Sequence, residues 1–220
     1  MAFLDFISGI HQSTQRNYLA RVNDVDKAKA AEIAKRFDRD YFDGERIYGY
    51  GGYRYDGRWA SLAKKLVEHY QLKSDAKILD IGCAKGFLVY ELSQILPKGT
   101  IQGIDCSSYA IENGMNEVKG SLQGGLATSL PFTENYFDLV ISINTLHNLR
   151  LPELEKALQE IERVGKNHKF IVMDGYRNEQ EKVNLLYWQL TCECFFTPLE
   201  WEWIFQKTGY SGDYDLVYFQ

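Results

Sequence analysis

Three observations predict an α/β fold with a mainly parallel sheet. From residue 58 onward, short apolar segments alternate with helical periods. One such segment, Lys77 to Ile81, runs into Asp80-Ile-Gly82-Cys83-Ala84-Lys85-Gly86 and then an apolar helical pattern, Phe87 to Leu96. That is a strand, a tight turn and a helix. A second segment, Thr100 to Ile104, ends in Asp105, 25 residues after Asp80.

Taken in order, residues 11–37 read as helical, with Val22, Val25, Ala28, Ala31 and Phe37 interleaved among charged residues. Residues 41–59 break every period. Gly44, Gly49, Gly51, Gly52 and Gly57 exclude a regular helix there. Leu62, Leu66 and Val67 mark a helix over 59–70. Strands are predicted at 76–81, 100–105, 121–125, 137–143, 168–173 and 213–219, and helices near 86–96, 107–118, 152–164 and 198–208. Thr197-Pro198-Leu199-Glu200 opens the last helix with a cap, a proline at its first position and a capping-box acid. Such alternation predicts a sheet covered on both faces. Residues 174–197 form an aromatic-rich insert expected to lie over the strand tips.

The 220 residues suit one α/β domain with a small cap. The natural division is 1–57 as a helical and Gly/Tyr-rich cap and 58–220 as the main domain. Apolar residues make up 45% and charged residues 25%, and the net charge of −5 argues against a nucleic-acid backbone as main partner. No run approaches the roughly 20 apolar residues of a membrane span. The start lacks a basic n-region, so a cytoplasmic location is expected. Cys192 and Cys194 lack the paired spacing of a zinc site, so no metal is expected and all four thiols read as reduced.

Gly82 and Gly86 let the backbone approach a ligand, and the following helix start offers free N–H groups to an anionic group. An acid at the tip of the next strand, as Asp105 is, suits a ribose. Further on come Gly125-Leu-Ala-Thr-Ser-Leu-Pro-Phe132 and Tyr136-Phe-Asp-Leu-Val-Ile-Ser-Ile-Asn144. Together these motifs resemble the class I S-adenosylmethionine-dependent methyltransferases, in the small-molecule group, over residues 58–175. A nicotinamide-dependent oxidoreductase would carry Gly-x-Gly-x-x-Gly instead. A non-catalytic cofactor-binding subunit is the other alternative. One departure is Ala84, where the family usually has glycine.

The resemblance implies a Rossmann-like, mainly parallel seven-stranded sheet with helices on both faces and an antiparallel last strand. It implies S-adenosylmethionine as cofactor and a small-molecule acceptor, a hydroxyl, an amine or a carboxylate, with a sugar or another anionic metabolite among the candidates. Gly82, Cys83, Ala84 and Gly86 would hold the methionine part and ribose. Asp80 would brace the turn or meet the methionine ammonium, and Asp105 would accept from the ribose hydroxyls. Cys106 would flank the adenine. Leu126 stands where an acidic or amide residue is usual, so Leu126 and Ala127 would pack the adenine by shape. Asn144 and His147 follow the strand whose tip faces the methyl group, and His147 is either a general base or a backbone-bonded histidine.

Arg46, Tyr48, Tyr50, Tyr53, Arg54, Tyr55 and Arg58 crowd the glycine-rich segment. Tyr50, Tyr53, Arg54 and Arg58 are substrate candidates, because tyrosines on a glycine loop can close over a substrate and arginines can hold an anionic group. Arg177 and Tyr187, in the late insert, are candidates on the same ground. Trp188 reads as core.

Overall fold

The computed structural model describes residues 1–12, 16–23 and 25–220. Six strands form one sheet: β1 (Lys77–Ile81), β2 (Thr100–Asp105), β3 (Leu122–Gly124), β4 (Phe137–Ile143), β5 (Gly165–Gly175) and β6 (Asp213–Tyr218). Their order is β3-β2-β1-β4-β5-β6, and every pairing is parallel. The order reverses between β1 and β4. Ligands of open α/β sheets bind outside the carboxyl ends of the strands at such a point.

Ten α-helices occur among the described residues: α1 (Ser8–Gln12), α2 (Tyr18–Asn23), α3 (Lys27–Ala34), α4 (Arg39–Phe42), α5 (Ala60–His69), α6 (Phe87–Ile95), α7 (Ser108–Glu112), α8 (Leu151–Val164), α9 (Glu179–Trp188) and α10 (Pro198–Thr208). Successive strand residues point to opposite faces. Ile78, Leu139, Ile141, Phe170 and Val172 therefore pack on one side with Leu62 and Leu66 of α5 and Leu88 and Leu92 of α6. Leu79, Val140, Ile171 and Met173 pack on the other with Leu154, Leu158 and Ile161 of α8 and Trp201 and Phe205 of α10. Both faces are covered, which is why the strands read as continuous apolar runs.

Two expectations need correction. The sheet has six strands, not seven, and its last strand is parallel, not antiparallel. The reason is the connection. An antiparallel neighbour is reached by a hairpin, whereas α10 crosses from the end of β5 back to the sheet's starting edge. Strand β6 then enters in the same direction as β5. The chain's first residues line its outer edge: Phe3 bridges Tyr214, and Leu4 N donates to Tyr214 O at 2.8 Å. Asp215 fixes this segment by accepting from Phe6 N and Ile7 N at 2.8 and 2.9 Å, while its other oxygen accepts from Leu216 N.

The helix expected over 11–37 is several short ones, and Phe37, at φ 49°, lies beyond the end of α3. Residues 13–15 and 24 of that stretch lie outside the described residues. The helix expected over 107–118 stops at Asn113-Gly114, and a 3₁₀ turn follows over Asn116–Ser121. Ser107 caps α7 by accepting from Ala110 N at 3.0 Å. No helix among the described residues is long and apolar enough to cross a membrane.

Replacing Asp215 by alanine strands buried backbone donors at the N-terminal strap. We expect a loss of about 2–4 kcal/mol in urea unfolding, since each buried donor left unmade costs about 1–3 kcal/mol. A loss under about 0.5 kcal/mol would mean that the strap is not held through Asp215.

Candidate active site

The turn after β1 is built by close packing. Gly82 has φ 77°, and a Cβ there would stand 2.0 Å from Thr145 Oγ1. Its N–H donates to Ile104 O of β2 at 2.7 Å. Ala84 also takes a left-handed conformation, φ 49°, which costs roughly 1–2 kcal/mol for a residue with a Cβ. Its N–H donates to Asp105 Oδ2 at 2.8 Å. The other oxygen of Asp105 accepts from Ser107 N at 2.8 Å. Asp105 thus ties the turn to the start of α7, and it supplies the brace expected of Asp80. Burial raises its carboxyl above the usual range, opposed by the N–H groups of Ser107 and Ala84. Gly86, at φ 78°, is the left-handed N-cap of α6, and a Cβ on it would meet Leu122 of β3 at 2.8 Å. Glycine is needed there for helix–strand packing.

A cavity of about 660 Å³ opens at the carboxyl ends of the strands, a size that suits a cofactor with an acceptor. Of the expected cofactor residues, Gly82, Ala84, Asp105, Cys106, Ala127 and Asn144 line it. Asp80, Cys83 and Gly86 are not in its wall. His147 lines it, as do Tyr50, Tyr53, Arg54 and Arg58. Arg177 and Tyr187 do not. Arg177 pairs with Glu181, one helical turn on, and Tyr187 borders a separate groove beside Gln180. Arg58 is held in a fork by Asp56, with Nη2 to Oδ2 at 2.6 Å, so its charge is already matched.

Asp80 is buried behind the turn, and its carboxylate receives no hydrogen bond among the described residues. Burial first, and the neighbouring Asp105 charge second, push its pKa up to about 7. An isolated carboxylate in such a place calls for a cation. Asn144 and Asn148, both in the cavity wall, carry buried Oδ1 atoms without a donor.

His147 is buried against Asp174 at the tip of β5. Its Nδ1 accepts from Asp174 N at 3.1 Å, and its Nε2 faces Asp174 Oδ2 at 3.5 Å. Acceptance at Nδ1 places the proton of the neutral ring on Nε2. Burial lowers the pKa of His147, and the Asp174 carboxylate opposes that shift. The ring has no lone pair left for a substrate proton, so in this geometry His147 orients Asp174. The same tautomer denies Nε2 to a metal ion, although His147, Asp174 and Cys192 bring potential ligand atoms within 4.8 Å of one another.

The glycine- and tyrosine-rich segment is fastened to the turn. Lys85 Nζ reaches Asp43 Oδ2 at 2.5 Å and donates to Tyr53 O at 3.1 Å. Asp43 also accepts from Tyr53 N and from the Tyr109 hydroxyl. Tyr53 stacks on Phe87, the first residue of α6, with ring centroids 4.9 Å apart.

Sequence reasoning missed Asp174 and two arginines near the N-terminus, Arg16 ahead of α2 and Arg21 within it, which line the cavity with Trp188. An acid at a strand's carboxyl end, Met173-Asp174-Gly175, was the available signal for the first. Nothing local distinguishes the arginines from a solvated helix face.

Residues 72–209 match the profile of a family described as a methyltransferase domain. Demethylmenaquinone methyltransferase of Desulfitobacterium hafniense is 33% identical over 117 residues, 50% of this chain and 46% of that one. An uncharacterized methyltransferase of Synechocystis is 29% identical over 148 residues, 65% of this chain and 67% of that one. The crystal structure of the YcgJ protein from Bacillus subtilis aligns with a TM-score of 0.52 at 20% identity, over 66% of each chain, a likeness of fold. The chain spans about half the length of the Desulfitobacterium relative.

The raised pKa of Asp80 has a definite sign. Its folded value, about 7, lies above the ordinary carboxylate range, so the folded protein holds this proton more tightly than the unfolded chain. The resulting stability is complete below about pH 4 and is lost as pH rises through about 7. Asp80→Asn in the ligand-free protein should therefore gain in melting temperature relative to wild type as pH rises from 5 to 8. A difference that does not change with pH would contradict the buried, unpaired carboxylate.

Proposed function

The chain belongs to the class I S-adenosylmethionine-dependent methyltransferases, and on that premise we propose that it moves a methyl group from S-adenosylmethionine to a small-molecule acceptor by in-line transfer. Membership in that family sets aside the nicotinamide-dependent alternative. S-adenosylmethionine supplies, when bound, an electrophilic methyl on a sulfonium and a neutral thioether as leaving group. The residues' share is to bind, align and exclude water.

The observation that carries this reading is the pair of buried acids at the glycine turn. Asp80, buried behind the turn and outside the cavity wall, adds negative charge beneath the turn, which favours the methionine ammonium there. Asp105 accepts from the backbone N–H groups of Ala84 and Ser107 and from the Cys106 thiol, and its remaining acceptor capacity, at the cavity wall, suits a ribose hydroxyl. Asn144 and Asn148 offer further buried acceptors. Leu126, 58% exposed at the rim, and Ala127 provide apolar contact for the adenine. Residues 1–57 and 174–197 form the cap on the acceptor side, with Tyr50, Tyr53 and Arg54 turned to the cavity. His147 serves by holding Asp174, so an amine or carboxylate acceptor, deprotonated before attack, fits better than a hydroxyl that needs a base.

Calorimetry with S-adenosylhomocysteine tests the cofactor half. Asp105→Ala should weaken binding by roughly 1–3 kcal/mol, the cost of leaving polar partners unmade. Unchanged affinity would remove Asp105 from the site. A methyl-release assay against pooled metabolites tests the acceptor half. Turnover is expected, and tight cofactor binding without turnover on any pool would favour a non-catalytic subunit.

A further inference from the structure

Three guanidinium groups ring one indole in the cavity wall. The Cζ atoms of Arg16, Arg21 and Arg46 stand 5.4, 5.2 and 5.4 Å from the Trp188 ring centroid. All four residues line the cavity. Arg21 Nη1 donates to Arg46 O at 2.7 Å, and Arg46 Nη1 donates to Gly49 O at 2.6 Å. Neutral carbonyls thus aim both forks, and among the described residues no carboxylate pairs with either. Arg21 Nε is buried with no acceptor at all. Arg16 is directed by its bonds to His11 O and Nδ1. Burial holds His11 down to about 4, so His11 adds no charge of its own at neutral pH.

The acids in the same wall are otherwise engaged. Asp56 holds Arg58, Glu153 accepts from Arg150 N, Asp105 accepts from the turn, and Asp174 faces His147 and Gln189. The chain as a whole carries a net charge of −5, yet Arg21 and Arg46 stand side by side in this wall without an ion-pair partner among the described residues. Like charges gathered in a partly desolvated place, with one donor unmade, destabilise the ligand-free protein, and an anion removes that cost on binding. Planar forks pre-aimed by backbone carbonyls match carboxylate and phosphate oxygens.

We propose that Arg21 and Arg46, seated on Trp188 and assisted by Arg16, form the acceptor's recognition site, and that the acceptor is a small molecule carrying a carboxylate or phosphate group. This rests on the reading of the cavity as a methyl-transfer site. The clamp and the Gly82–Ala84 turn line the same cavity. The rival occupant is the carboxylate of the cofactor itself.

The test is calorimetric titration of inorganic pyrophosphate and of malonate into the protein saturated with S-adenosylhomocysteine. Saturable binding of at least one anion is expected, weakened roughly tenfold or more in Arg21→Gln/Arg46→Gln and partly restored in Arg21→Lys/Arg46→Lys. Lys64→Gln, outside the cavity wall and paired with Glu68, should bind anions as wild type does. Tighter pyrophosphate marks a phosphorylated acceptor, and tighter malonate marks a carboxylate. No saturable binding of either anion to wild type would overturn the proposal, as would equal affinity in the double glutamine variant. A tenfold or greater loss of S-adenosylhomocysteine affinity in that variant, with its melt intact, would assign the clamp to the cofactor and also overturn it. If the double variant does not fold, Arg46→Gln alone at the exposed position carries the same comparison. Failure of wild type to bind S-adenosylhomocysteine would instead strike the methyltransferase reading, and the anion titrations are then run on the free protein.

Discussion

The hydrogen bond from Ala84 N to Asp105 Oδ2 is the constraint on which the site depends. It holds a residue with a Cβ in a left-handed conformation and fastens the end of β1 to the tip of β2. Lys85, the next residue, then pairs with Asp43 and so draws the irregular N-terminal segment onto the same turn. Tyr53 follows, stacked on the first residue of α6. Without this sequence of contacts the segment of five glycines would have no single conformation, because each glycine adds backbone entropy that must be offset.

Charge is divided across the cavity in a way that the fold enforces. Parallel strands bring Asp80 and Asp105 to one end of the sheet, where helices and turn remove them from water. Helices α2 and α9 pack together, which sets Arg21 on the Trp188 ring. Asp105 on one side and Arg21 and Arg46 on another then face one space, with Asp80 buried behind the turn. Methyl transfer from a sulfonium asks mainly for alignment and exclusion of water, and opposed charges that bind the two ends of a reaction pair supply alignment.

The sheet was legible because its signals are local. Each strand is an apolar run ended by a polar or glycine residue, and Ser107 and Thr197 cap helices where their side chains predict. Six strands were readable from the residues, and the seventh and the antiparallel ending came from the resemblance alone. The direction of β6 follows from α10 lying between it and β5, a matter of tertiary path. Arg177 was open to better reading, since Glu181 stands four residues on in a helix and claims it. The partners of His147, and the gathering of Arg16, Arg21 and Arg46 on Trp188, join segments more than a hundred residues apart in the second case and could not be read from spacing. Asp80 and Asp105 were both placed at the turn from the sequence, but that Asp105 also braces the turn, through Ala84 N, depends on a left-handed residue whose conformation the sequence does not announce.

A crystal structure with S-adenosylhomocysteine bound would test the central claim most directly. The account expects the ribose hydroxyls on Asp105, the ammonium beside Asp80, and the sulfur turned toward the space between Tyr53 and the Arg21–Arg46 wall. A cofactor seated away from the Gly82–Ala84 turn, or with its ammonium remote from Asp80, would contradict it.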